Sequence, residues 1–216
     1  MLFNMPPLLY YITDRRQFAG SEQGQQRRLL EKVSECAAAG VDYIQLREKD
    51  LGVRALEELA HGAMAALGSS HSRLLINSRT DVALACGAHG VHLTGNDLPA
   101  SEVRAIMHRA GTKKPVIAVS VHSQAEVAYA EAHGADFAVF APVYEKTGLA
   151  HHSGLEQLQR ICARSDAAAH RMPVFALGGV TLQNARSCLE AGAAGIAGIR
   201  LFHENDARKI VEFFRG

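Results

Sequence analysis

Gln45, Arg47 and Lys49 alternate at the end of the apolar run Val41-Asp42-Tyr43-Ile44. Alternate residues of a strand point to one side of its sheet, so this spacing projects an amide, a guanidinium and an ammonium together from a strand end. Such a cluster is costly unless something anionic sits there. Glu48 and Asp50 fall on the opposite side for as long as strand geometry persists, so they need not neutralise the trio. A charged loop that merely solvates the surface has the same composition, and Gln45-Leu46-Arg47-Glu48-Lys49-Asp50 alone leaves both readings open.

Further polar residues follow other apolar runs. Asn77 comes directly after Arg73-Leu74-Leu75-Ile76, where it can reach the same face, whereas Ser78, Thr80 and Asp81 read first as caps of the next helix. Asp97 either caps a helix starting near Pro99 or ligates Mg²⁺, an ion that takes one or two protein carboxylates and completes its shell with phosphate and water. Ser120 and His122 share one side of a fifth run, and a histidine there is a candidate for proton transfer. His92, between Val91 and Leu93, reads as a hydrogen-bonded core histidine. The sixth unit, Phe140 to Leu155, carries Lys146, Thr147 and paired histidines in a long loop that reads as a lid over a ligand; no metal is assigned to His151 or His152. Gly178-Gly179, and Gly195 to Arg200, let backbone N–H groups approach a phosphate.

Strand ends are what must position these groups. A phrase recurs at Ala39-Gly40-Val41, Gly87-Ala88-His89-Gly90-Val91, His133-Gly134-Ala135 and Ala191-Gly192-Ala193: a helix closing on a glycine, then a short apolar strand. Further β-like runs at Leu8 to Thr13, Arg73 to Ile76, Pro115 to Val119 and Pro173 to Leu177 bring the count to eight, with helical stretches between them. Eight units in 216 residues, with strands that are continuously apolar, predict an α/β protein built as a single-domain (β/α)₈ TIM barrel over residues 1–216. A doubly wound sheet is the competitor, and the first strand lacks the G-x-G-x-x-G that a dinucleotide site would need. In such a barrel the site lies at the C-terminal ends of the strands.

The formal net charge of +1, without a basic stripe interleaved with aromatics, argues against nucleic acid as the partner. No run of about 18 apolar residues is present, so no membrane partner is indicated. Four cysteines without metal-ligand spacing read as small core residues of a cytoplasmic protein. The oligomeric state stays open, a homodimer included.

The chain resembles the thiamine phosphate synthase family, which includes the thiazole tautomerases. The likeness spans nearly its whole length. It rests on Tyr11-Ile12-Thr13-Asp14, Gln45-Leu46-Arg47-Glu48-Lys49, Ile76-Asn77 with Asp81-Val82-Ala83-Leu84, Gly90-Val91-His92-Leu93 with Asp97-Leu98, Val119-Ser120-Val121-His122-Ser123, Pro142-Val143-Tyr144, Ala176-Leu177-Gly178-Gly179-Val180 and Ala191 to Ala197. The resemblance implies transfer of an aminopyrimidine methyl group from pyrophosphate to the nitrogen of a thiazole phosphate. It implies Gln45, Arg47 and Lys49 around pyrophosphate, with Asn77, Asp97 and Mg²⁺ positioning it and Ser120 beside the substrate. Lys146, Thr147, Gly178, Gly179 and the turn Gly198-Ile199-Arg200 would contact the leaving group or the thiazole phosphate. Ser78 stands where the family carries a second magnesium-ligating Asp, and Arg200 where it carries a phosphate-binding Ser. Glu145-Lys146-Thr147-Gly148 replaces a Thr-x-Thr-Lys pattern. The tautomerase branch, with His122 as acid and base, is the alternative reading, and a thiamine phosphate binding protein without turnover is a third.

Overall fold

The computed structural model describes residues 6–144, 152–163 and 172–216. Its strands are β1 (Leu8–Ile12), β2 (Tyr43–Leu46), β3 (Arg73–Asn77), β4 (Gly90–Leu93), β5 (Val116–Val121), β6 (Phe137–Phe140), β7 (Val174–Ala176) and β8 (Gly195–Gly198). Between and after them run α1 (Glu22–Ala39), α2 (Val53–Leu67), α3 (Thr80–Cys86), α4 (Ala100–Arg109), α5 (Gln124–Ala132), α6 (His152–Cys162), α7 (Ala185–Glu190), α8 (Arg200–His203) and α9 (Ala207–Arg215). Each strand pairs in parallel with the next, and β8 pairs with β1, so the sheet closes into the expected barrel.

The recurring helix-glycine-strand phrase has one physical basis in all four copies. Gly40, Gly87, Gly134 and Gly192 adopt φ values of 90°, 69°, 71° and 98°. The residue after each glycine donates its N–H to a carbonyl five residues back: Val41 to Cys36, Ala88 to Ala83, Ala135 to Ala130 and Ala193 to Cys188. This left-handed stop satisfies the last helical carbonyls and turns the chain straight into the next strand.

Strand residues alternate between two apolar layers. One side, including Leu9, Tyr11, Ile44, Leu46, Leu74 and Ile76, packs under the helices. The other fills the barrel with Tyr10, Ile12, Leu75, Ala118, Phe137, Val139, Phe175 and Ala197. Phe137 stacks on Phe175 with ring centroids 4.6 Å apart and meets Tyr43 at 4.8 Å, while Tyr10 meets Phe137 edge-on at 5.5 Å. Tyr43 and Phe137 open their strands, so these rings occupy the N-terminal half of the barrel. Cys36, Cys86 and Cys188 are buried and Cys162 is half-buried, all with free thiols. Among the described residues no helix is long and apolar enough to cross a membrane.

Candidate active site

Strand β2 ends at Leu46, so strand geometry does not carry the Gln45, Arg47, Lys49 trio through to its last member. Gln45 points inward, is 1% exposed, and donates from Nε2 to Asn77 Oδ1 at 3.0 Å. Arg47 is half-buried just past the strand end, its N–H held by Thr13 Oγ1 at 3.0 Å. Lys49 is exposed in a turn closed from Leu51 N to Glu48 O. The alternation still separates the charges. Glu48 is buried on the far side, accepting from Thr13 Oγ1 at 2.6 Å and from the backbone N and Nη1 of Arg15. Asp50 accepts from Nη1 and Nη2 of the same guanidinium at 2.8 and 2.6 Å, and Glu22 takes its Nε at 2.6 Å.

Hydrogen bonding from Arg15 holds the Asp50 carboxyl well below the usual range, whereas burial raises that of Glu48 against the pull of Thr13 and Arg15. Both acids of the motif are thus consumed by Arg15. Among the described residues the side chains of Arg47 and Lys49 make no ion pair, and the mouth keeps their positive charge. Nothing in the sequence marked Arg15 for this, since an arginine shortly after a strand reads as surface.

A second polar line crosses the ends of β3 and β4. Asn77 Nδ2 approaches Ser78 Oγ at 3.3 Å, and Ser78 Oγ donates to Asp97 Oδ2 at 2.8 Å. Thr94 adds its backbone N at 2.6 Å and its hydroxyl at 2.9 Å to the same carboxylate oxygen. The capping expectations fail here. Helix α3 has Arg79 as its N-cap and α4 has Pro99, neither with a side-chain cap bond, and Asp81 pairs with Arg79 instead. Ser78 is the one non-glycine among the described residues with positive φ, at 56°. The bond from Arg79 N to Asn77 O at 2.7 Å closes a three-residue turn around it, and its own N–H donates to His92 O. That turn aims the Ser78 hydroxyl at Asp97 rather than at the helix start.

Asp97 Oδ1 accepts no hydrogen bond among the described residues, so one carboxylate oxygen remains for a cation. The Ser78 hydroxyl donates to Asp97 and accepts once from Asn77, which leaves it an oxygen lone pair, so Ser78 and Asp97 lie together where the resemblance expects the ion. No group of three or more acidic, His or Cys side chains among the described residues could hold a metal by itself. The donor set therefore fits Mg²⁺ only as an ion shared with a phosphorylated ligand.

On the neighbouring strand, Ser120 lies on the inner face of β5, with its Oγ 2.8 Å from His92 Nε2, and His92 Nδ1 is 3.0 Å from the Tyr10 hydroxyl. Burial first, then the positive charge of Arg47, pushes the His92 imidazole down to about 3, so it is neutral. His92 is thus the hydrogen-bonded core histidine expected, and it also forms the floor of the site. Sequence reasoning missed Tyr10; the available signal was its place on one strand face with Leu8 and Ile12, where a buried tyrosine needs a polar partner. His122 sits one residue beyond β5, exposed, with Nδ1 2.6 Å from Ala141 O. A carbonyl accepts only, so Nδ1 carries the proton and neutral His122 presents Nε2 as a base. Ser123 caps α5, accepting from Glu126 N.

Gly178 and Gly179 both adopt left-handed conformations, φ 96° and 62°. A Cβ on Gly178 would lie 2.8 Å from Pro142 Cα, and Tyr144 N donates to Gly178 O at 3.0 Å. The end of β7 therefore lies against the chain leading away from β6. Lys146 and Thr147, expected in that loop, lie outside the described residues. Gly198 ends β8 where a Cβ would meet Leu201 Cβ at 2.8 Å, Ile199 packs into the barrel interior, and Arg200 is exposed at the start of α8. Gln45, Asn77, Asp97, Ser120, His122, Gly178 and Gly198 all fall at or just beyond the C-terminal ends of the strands.

Comparison with known proteins agrees with this arrangement. Residues 9–202 match the family model described as thiamine monophosphate synthase. A putative thiamine-phosphate synthase of Geobacter sulfurreducens is 43% identical over 192 residues, covering 88% of this chain and 83% of the relative. A thiamine-phosphate synthase of Syntrophomonas wolfei is 34% identical, covering 94% and 93%. The solved thiamine phosphate pyrophosphorylase of Pyrococcus furiosus superposes with a TM-score of 0.76 at 31% identity, covering 96% and 93%. The resemblance drawn from the strand-end motifs is therefore borne out over most of the chain, which belongs to the thiamine monophosphate synthase family.

Proposed function

We propose that the protein is a thiamine phosphate synthase, joining 4-amino-2-methyl-5-pyrimidinylmethyl pyrophosphate to thiazole phosphate with release of pyrophosphate. The observation that carries the reading is the sorting of charge around β2. Arg15 takes up Glu48 and Asp50, and Arg47 and Lys49 are left to an anionic ligand at the barrel mouth. As the C–O bond to the methylene breaks, its electron pair leaves with pyrophosphate, and fixed positive charge stabilises that departing group most strongly at the transition state. The cation left on the pyrimidine is captured by the thiazole nitrogen as the C–N bond forms. Gln45 and Asn77, locked to each other, orient the pyrophosphate end of the substrate, and Ser120 faces its ring. Gly178, Gly179 and the Gly198 turn, with Arg200 as a charged fork, form the second phosphate position.

Asp97 would hold Mg²⁺, which would supply charge neutralisation for the phosphates of the substrate. The Mg²⁺ requirement, the homodimer and the cytoplasmic setting are parts of this proposal. Supplying both substrates with Mg²⁺ should release pyrophosphate, and chelation should stop it. No release at saturating substrate would sink the reading.

One observation favours a second reading. His122, with Nδ1–H committed to Ala141 O, is poised as a base in the way a thiazole tautomerase needs. Conversion of the non-aromatic thiazole carboxylate, lost in His122→Ala, would establish that activity in place of the first.

A further inference from the structure

The aromatic filling of the barrel is crossed by one polar line, from Tyr10 through His92 to Ser120. Tyr10 is 0% exposed and His92 is 2% exposed, so neither can turn to water. A neutral imidazole has one N–H and one lone pair, which gives the line two possible directions. With the proton on Nδ1, His92 would donate to the Tyr10 oxygen and the phenol proton would need another acceptor. Among the described residues Tyr10 has no hydrogen-bond partner other than His92, and its ring is enclosed by Tyr43, Phe137 and Phe175. A buried donor without an acceptor is strongly disfavoured. The Tyr10 hydroxyl therefore donates to Nδ1, the imidazole proton sits on Nε2, and Nε2–H donates to Ser120 Oγ.

That direction decides what Ser120 offers the ligand. Its oxygen already accepts from His92, so its own proton is turned out towards the mouth. In the reverse direction Ser120 would spend that proton on Nε2 and face the ligand as an acceptor only.

We propose that Tyr10 is a positioning residue: by fixing the His92 tautomer it makes Ser120 a hydrogen-bond donor to an acceptor atom of the bound substrate. The role in turnover rests on the synthase reading, while the tautomer does not. Burial, with a smaller contribution from Tyr43, keeps the Tyr10 phenol protonated, consistent with its part as donor.

The first test needs no variant and no substrate. In the ¹⁵N NMR spectrum of the wild-type protein, His92 Nε2 should resonate as a protonated ring nitrogen and Nδ1 as a bare one. The opposite assignment overturns the proposal. Tyr10→Phe keeps the ring and removes only the hydroxyl. It should weaken the preference of His92 for the Nε2–H tautomer, read as partial averaging of the two ring-nitrogen shifts, and lower kcat by up to about 10-fold, the scale of one hydrogen bond. KM for the pyrophosphate substrate and the affinity for inorganic pyrophosphate should stay within about twofold, since the positive cluster is untouched. In a Ser120→Ala background the same substitution should have almost no further effect on kcat. An equal loss of kcat in both backgrounds would mean that Tyr10 acts through packing, and would overturn the role. Absence of pyrophosphate release by the wild type would remove the synthase reading and the role in turnover, leaving the tautomer to be judged by the nitrogen shifts.

Discussion

The backbone N–H of Arg15 reaches both oxygens of Glu48, at 3.2 and 3.1 Å, while its Nη1 bonds one of them at 3.0 Å. An acid next to Arg47 in sequence is thereby held by another arginine, on the far side of the strand end. Arg15 is 3% exposed and Glu48 4%, so each depends on the other. Removing one member of a buried pair leaves an uncompensated charge and costs about 3–5 kcal/mol. Arg15→Met should lower the urea midpoint accordingly, and the added Glu48→Gln should recover part of that loss. An unchanged midpoint in the single variant would show that the pair contributes nothing.

Arg47→Ala tests the front of the same segment. It removes a half-buried guanidinium that has no carboxylate partner among the described residues, so the fold should tolerate it. Turnover should fall by about 10²–10³-fold, the loss typical of a donor aimed at developing negative charge. Steady-state pyrophosphate release measures it, and near-normal activity would mean that the cluster is ordinary surface charge.

Ser78 separates backbone strain from hydrogen bonding. Ser78→Ala and Ser78→Gly both lose the bond to Asp97, but only glycine is at ease at φ 56°. The glycine variant should be more stable than the alanine variant by about 1 kcal/mol, read from paired denaturant curves. Equal stabilities would show that the turn rearranges.

His92 gives the protein a defined acid sensitivity. Its folded-state value is depressed to about 3, below the ordinary imidazole value of 6.5. The unfolded chain therefore takes up a proton that the folded chain refuses. The stability linked to this histidine is complete above pH 6.5 and is lost as pH falls towards 3, at up to about 1.4 kcal/mol per pH unit. Ring carbon shifts of His92 should stay constant between pH 8 and 5, and a titration inside that range would contradict the buried neutral assignment.

The barrel was legible because each β/α unit carries its own punctuation: an apolar strand, then a helix stopped by a left-handed glycine. The placement of candidate site residues was legible where strand parity decides it, as for Gln45, Asn77 and Ser120. It was not legible where a tertiary partner overrides a local preference. Ser78, Asp81 and Asp97 have the chemistry of helix caps, yet the turn at Ser78 and the loop at Thr94 give Ser78 and Asp97 to each other and leave Asp81 to Arg79. Arg15 and Thr13 were missed because their shared buried partner, Glu48, lies more than 30 residues further along the chain.

The packed rings of Tyr43, Phe137 and Phe175 around Tyr10 make the barrel a cul-de-sac. Two substrates and two products must use one doorway, and nothing can drain through the floor. Every arrival and departure is therefore a matter for the rim, and the plug of the barrel serves to shut the other end.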